Sequence, residues 1–236
     1  MATTINKQRL LSQVLATAPK SAGDGGEARP VLEQFIYALC REGATRAQAD
    51  AAFRHLQERF FDWNEVRVSS VRELEEAFEG LSGAELRAQR LVAFLQEVFE
   101  TTFSFDLEGL QKKGLKQAAK QLGRYQAANE YAVSWVVQRT LGGHAIPLDA
   151  PTLRCARRMG LADGADEAEV RASLEHLVPK AKGPAFTDQA SHVAGEYCWE
   201  EEPNCPACPL SGDCATAHEN GVESVAAGRS HRPKPR

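Results

Sequence analysis

Apolar residues recur at spacings of three and four along nearly the whole chain, and no stretch alternates apolar and polar with period two over a useful length. The pattern predicts an all-α protein. A first helix is expected over residues 6–17. The segment SAGDGGEARP from Ser21 follows it as a flexible connection, too rich in glycine and small polar residues to pack. Further helices are expected over 31–41, over 46–60 behind a Thr45 cap, over 71–78 behind Ser70, and over 84–100 behind Ser82. Residues 107–121 read as one or two short helices broken near Gly114. Residues 127–141 form an apolar helix that Gly142 and Gly143 should stop. Beyond Asp149 three more helices are expected. Asp166 with Glu169 forms a capping box for the second of these, and Pro184 opens the third, which runs into Cys198.

With 236 residues, 43% of them hydrophobic, the chain can build a core without covalent crosslinks. No run approaches the roughly 18 apolar residues of a membrane span. The N-terminal MATTINKQRLLSQVLATAPK lacks the continuous apolar centre of a signal peptide, so a cytoplasmic, soluble monomer with no membrane partner is expected. In a reducing compartment six cysteines point to metal ligation rather than to a disulfide framework. A net charge of −4 argues against nucleic-acid binding by bulk electrostatics while leaving room for a local basic face. One such segment is GLQKKGLKQAAKQLGR, where Lys112, Lys113, Lys116, Lys120 and Arg124 occur without an acid among them. Phosphate contact and a solvated helix face are both open readings for it. The tail RSHRPKPR from Arg229 has no apolar face, and disorder is expected there.

The densest chemistry lies in CWEEEPNCPACPLSGDC, in which Cys198, Cys205, Cys208 and Cys214 follow the spacing C-x6-C-x2-C-x5-C. Zinc modules accept four cysteines but usually pair two C-x2-4-C knuckles across a longer stretch. Here one pair alone is knuckle-like, which favours an iron-sulfur cubane with four thiolate ligands, a 4Fe-4S cluster. Cys40 and Cys155 lie inside helical patterns, where they read as small buried hydrophobes.

That cysteine string, at the C-terminal end of a helical chain of this size, resembles the endonuclease III family of DNA glycosylases, helix-hairpin-helix proteins with an iron-sulfur loop. The resemblance continues upstream in LGGHAIPLDAPTLRCARRMGL, where a turn, an aspartate and a helix opening T-x-x-R occur in family order. It covers about residues 30–214, most strongly after Ala128. It implies two helical lobes. A six-helix bundle with a degenerate hairpin would occupy residues 30–143. A cluster lobe would comprise residues 144–214 together with the N-terminal helix and linker of residues 1–29, leaving 215–236 as a largely disordered tail. It further implies a partner, double-stranded DNA, from which one nucleotide is extruded for cleavage of its glycosidic bond. Asp149 matches the catalytic aspartate, whose carboxylate would stabilise the positive charge that develops as that bond breaks. Without the family, Asp149 reads as a helix N-cap.

The departures are equally specific. Bifunctional members carry a lysine 18 residues before the aspartate (149 − 18 = 131), and that position holds Tyr131, which cannot form a Schiff base with the sugar. The glycines of the phosphate-gripping hairpin are absent from the aligned YQAANEY. Gly43 stands where the family often places a wedge glutamine, with Arg41 and Glu42 beside it. Glu200, Glu201 and Glu202 occupy a loop that is often basic, and would repel phosphate. Tyr131 and His144 are candidates for the base pocket. Arg154, with Arg157 and Arg158, forms a positive stripe open to phosphate contact or to salt bridging. Trp135, midway along an apolar helix, is assigned to the core. The expected activity is removal of a damaged or mismatched base by a monofunctional N-glycosylase without lyase chemistry. The alternatives are a catalytically silent DNA-binding module, or a protein whose cluster serves redox sensing or partner docking.

Overall fold

A computed structural model describes residues 6–17 and 28–222, and these are helical throughout, joined by turns and short 3-10 segments. Residues 21–27 of the expected linker 21–30, and the basic tail from Arg229, lie outside the described residues. Helix α1 spans Lys7–Ala16, α2 Val31–Arg41, α3 Arg46–Arg59 and α4 Trp63–Val68. Then come α5 Val71–Glu75, α6 Ala84–Thr102, α7 Leu115–Leu122 and α8 Glu130–Arg139. The chain finishes with α9 Ala150–Met159, α10 Glu167–Leu177, α11 Gly183–Glu196 and the short α12 Ala215–Glu219. Among the described residues no helix is long and apolar enough to cross a membrane.

Local chemistry accounts for most boundaries. Thr45 and Ser70 each accept from the third backbone amide of their helix while Gln48 and Glu73 reach back, two complete capping boxes. Asp166 accepts from the Glu169 amide, but the Glu169 carboxylate reaches past it to the Ala165 amide, so the expected box closes one residue further out. Two expectations need correction. Helix α6 is not capped by Ser82. Gly83 takes the cap position at φ +68°, a left-handed conformation that serine adopts at a cost, and the Ser82 carbonyl instead accepts from Arg87 Nε. Helix α4 was not expected at all. Asp62 accepts from the Glu65 amide and the Glu65 carboxylate from the Phe61 amide, an N-terminal signal that six residues of weak apolar periodicity obscured.

The apolar side chains segregate into two cores with no member in common. One is enclosed by α2 to α8, with Phe35 stacked on Phe94 at a centroid distance of 3.9 Å and Trp135 buried beside Tyr37. The other gathers Leu10, Leu11 and Val14 of α1 with residues of α9, α10 and α11 and with Leu210, Cys214 and Ala217. Polar contacts join the two. Gln138 Nε2 donates to the Ala145 carbonyl and to Thr187 Oγ1, Arg139 pairs with Asp188 at 2.7 Å, and the buried Arg41 donates to Ser191 Oγ at 2.8 Å.

The loop leaving α8 passes close to α7, and Gly143 permits the approach. A Cβ there would overlap Val137 Cγ1 and lie 3.0 Å from both methyls of Leu115. Gly143→Ala is therefore expected to destabilise the protein by about 1–3 kcal/mol through overpacking, read as a lowered midpoint in urea unfolding with an unchanged slope.

Candidate functional site

Between the two cores lies a cleft of about 670 Å³, lined by Glu42, Asn129, Glu130 and Tyr131 on one side and by Leu148, Asp149, Glu167 and Arg171 on the other. Asp149 is 7% exposed and caps α9, with Oδ1 accepting from the Thr152 amide at 2.9 Å. Its Oδ2 accepts from the Gly43 amide, also at 2.9 Å, across 106 residues of sequence. Gly43 sits at φ +67° in the turn after α2, which two arginines hold from behind. Arg87 donates to the carbonyls of Leu39 and Glu42, and Arg41 to that of Ala44. Burial lowers the pKa of Arg87, and Glu42 opposes that shift. The Glu42 carboxylate is held by Arg90 Nη1 at 2.8 Å and Asn129 Nδ2 at 2.7 Å.

Tyr131 lies in the same cleft, its ring stacked on Trp135 at 6.0 Å. Burial raises its phenol pKa, with the Asp149 and Glu42 charges adding to the rise while Arg41 and Arg139 oppose it, so it is a neutral donor or acceptor at ordinary pH. The cleft is acidic. Its single lining cation among the described residues, Arg171, is already paired with Glu130 at 2.8 Å and Glu167 at 2.5 Å.

Other expected site residues sit elsewhere. His144 donates from Nε2 to the Glu175 carbonyl at 2.7 Å and is not part of the cleft lining. Lys112 and Lys113 stand on the turn before α7, Lys116 and Lys120 on α7 itself, and Arg124 just after it, all exposed. Lys113 contacts Gln121 Oε1 at 2.5 Å, and none of the five pairs with a carboxylate among the described residues. Arg154 faces the cysteine loop, donating from Nε and Nη2 to the Cys198 carbonyl at 3.1 and 3.0 Å. Arg158 donates to the carbonyls of Trp199 and Glu200 and lies 3.8 Å from Cys198 Sγ. The arginine stripe thus grips backbone carbonyls for the most part, and Arg154 Nη1 also lies 3.9 Å from the Glu200 carboxylate, a long form of the expected salt bridging.

Cys198, Cys205, Cys208 and Cys214 line one pocket with Met159, Val193, Leu210 and other neighbours. Among the described residues no group of three or more His, Cys, Asp or Glu side chains is arranged so that it could hold a metal ion. Cys198 is pulled down to about 6, first by a thiol hydrogen bond from Cys155 and then by Arg158 and Arg154. Burial pushes Cys208 up to about 11 and also raises Cys214. Cys155 was expected to be a bland core residue. It is fully buried, yet it is a fifth cysteine of this pocket, and its position on α9 beside Arg154 is the one sequence signal that would have found it.

The arrangement of helices has close counterparts among solved structures. A trapped covalent endonuclease III–DNA intermediate superposes with a TM-score of 0.69 over 92% of this chain and 100% of that one, at 18% identity. The fold is that of endonuclease III. A thermostable thymine-DNA glycosylase gives 0.64 over 90% and 97% of the two chains at 16% identity. The H. pylori 3-methyladenine DNA glycosylase MagIII, bound to 1,N6-ethenoadenine, gives 0.59 over 83% and 100% at 12%. In sequence, the chain is 26% identical over 171 residues to the DNA glycosylase/AP lyase ROS1 of Arabidopsis thaliana and, equally, to the transcriptional activator DEMETER of the same plant. The matches cover 65% of this chain but 12% and 9% of those much longer proteins. No family model matches.

The double use of Asp149 sets a stability expectation. Asp149→Ala removes a cap, costing about 1 kcal/mol, and strands the Gly43 amide, costing about 1–3 kcal/mol more. Asp149→Asn retains a cap acceptor and is expected to cost less. Urea unfolding of the two variants against wild type measures both.

Proposed function

We propose that the chain is a divergent endonuclease III-like DNA-repair protein that binds double-stranded DNA and removes a damaged or mismatched base as a monofunctional N-glycosylase. The observation that carries this reading is the pairing of Asp149 with Tyr131 in one cleft between the two cores of an endonuclease III fold. A base rotated out of the duplex needs an enclosed space of this kind, and the Tyr131 ring offers it an aromatic neighbour. Asp149 is fixed by two backbone amides, so its charge is preorganised, and each of its oxygens keeps a further lone pair for a water or for the developing positive sugar. Tyr131, where bifunctional members have an amine, removes the Schiff-base route and with it lyase activity. The exposed cations from Lys112 to Arg124 are assigned to the phosphate backbone, since none of them pairs with a carboxylate among the described residues.

In the same proposal Cys198, Cys205, Cys208 and Cys214 hold a 4Fe-4S cluster, which when bound would tie the two ends of the loop from 198 to 214 together. Arg154 and Arg158 hold the first ligand segment in register for it. Anaerobically purified protein is expected to be brown with near four iron and four sulfide per chain, whereas colourless zinc-bound protein would refute the assignment.

A second reading, DNA binding without catalysis, draws support from Asp149 itself, because both its oxygens already serve the fold. A panel of duplexes carrying damaged or mismatched bases separates the two. Base release by wild type that falls at least a hundredfold in Asp149→Asn is expected for the enzyme. Binding without release by either protein would establish the silent module. Borohydride trapping on abasic-site DNA is expected to give no covalent adduct.

A further inference from the structure

We propose that the cleft takes a base that already carries a positive charge, an N-alkylated purine, recognised by the Tyr131 hydroxyl and by the carboxylates around it. The inference rests on the glycosylase reading above and names the substrate class of that same site.

The hydroxyl comes first. Tyr131 is 4% exposed and lines the cleft, yet among the described residues its oxygen makes no hydrogen bond. Tyr37, buried to the same 4%, donates to Asp50 at 2.6 Å. The polar groups nearest Tyr131 in the cleft wall are engaged. Asn129 donates to Glu42 Oε1 and accepts from the Ala132 amide, while Asp149 takes the Gly43 and Thr152 amides. A buried phenol that the fold leaves without a partner is free to bind a ligand that enters the cleft.

Charge comes second. Four carboxylates line the cleft, those of Glu42, Glu130, Asp149 and Glu167, and among the described residues one cation, Arg171, is held between two of them. Arg90 offsets Glu42 from behind at 2.8 Å, and the balance that remains is negative. An ionised carboxylate accepts hydrogen bonds and donates none. A base rich in carbonyl oxygens therefore meets acceptors with acceptors. A purine alkylated on N3 or N7 brings amino donors and a full positive charge, whose attraction to carboxylates grows as bulk water is excluded. The electron-rich phenol ring adds to that attraction.

Bond breaking comes third. A neutral base leaves readily only if a proton is supplied to it, and the described lining offers no ammonium or imidazolium. An alkylated purine needs no proton. Its bond to C1′ breaks, the electron pair of that bond neutralises the ring, and the base departs uncharged. Water adds to C1′ and releases a proton to solvent, which leaves the abasic sugar. The positive charge passes from ring to sugar, and the Asp149 carboxylate faces it there.

Two duplexes that resist cleavage test the recognition with the full chain. One carries a 2′-fluorinated 7-methylguanine nucleotide, which is cationic, and the other 7-deaza-7-methylguanine, of the same shape and neutral. Affinities are read by fluorescence anisotropy against an undamaged duplex. Wild type is expected to bind the cationic base about tenfold more tightly than the neutral one. Glu167→Gln leaves Arg171 its Glu130 partner and is expected to cut that preference to about threefold. Tyr131→Phe is expected to weaken both complexes relative to the undamaged duplex while keeping their ratio. Equal affinity of wild type for the two bases would overturn the proposal, and that comparison needs no variant to fold. Base release is then followed by mass spectrometry on DNA treated with dimethyl sulfate, where free 7-methylguanine and 3-methyladenine are expected. Release of thymine or of an oxidised pyrimidine without any methylpurine would refute this inference and leave the glycosylase reading standing. A binding preference without release would keep the recognition and refute catalysis, and the absence of both would sink the two together.

Discussion

Two apolar cores that share no side chain are held together by polar contacts, and the bond from the Gly43 amide to Asp149 is the one on which the cleft depends. A purely apolar interface would have closed the space between the cores. A polar seam that includes Gln138, Arg139, Arg41 and Asp149, with Arg171 reaching Glu130 across the cleft, joins the two and leaves room beside it. The turn at Gly43 must then be rigid, which explains why two buried guanidiniums are spent on its carbonyls. Buried charged donors of this kind are costly to leave unmatched, so the turn has few alternative conformations.

The electrostatics divide the surface by task. Among the described residues, carboxylates from both cores face the cleft and its one cation is neutralised, while exposed lysines stand on and before α7 without acidic partners. A polyanion is repelled by the first region and attracted by the second, whereas an uncharged ring is indifferent to the repulsion and finds Tyr131 inside. The net charge of −4 hides this division, because a sum has no position.

Much of the fold is written in short-range chemistry. Thr45, Ser70, Asp149 and Asp166 are caps because a side-chain oxygen two or three residues from an open amide is sufficient, and such spacing is visible in one dimension. The unforeseen features are contacts between distant segments. Nothing near Gly43 indicates that its amide meets Asp149, and nothing in the arginine stripe indicates that its partners are carbonyls more than forty residues away. Cys155 shows the same limit. Periodicity places it on the buried face of its helix, but the identity of its neighbours is a property of packing. Helix α4 was missed for the opposite reason, since its signal is local but too brief to stand above loop chemistry.

Helix α9 begins at the carboxylate of the cleft and carries Cys155 and Arg158 against the cysteine pocket, so ten residues, about 15 Å of rigid rod, connect the two. A ligand at one end that shifts the rod, and so changes the affinity of the other end, would be answered by the same factor in the opposite direction.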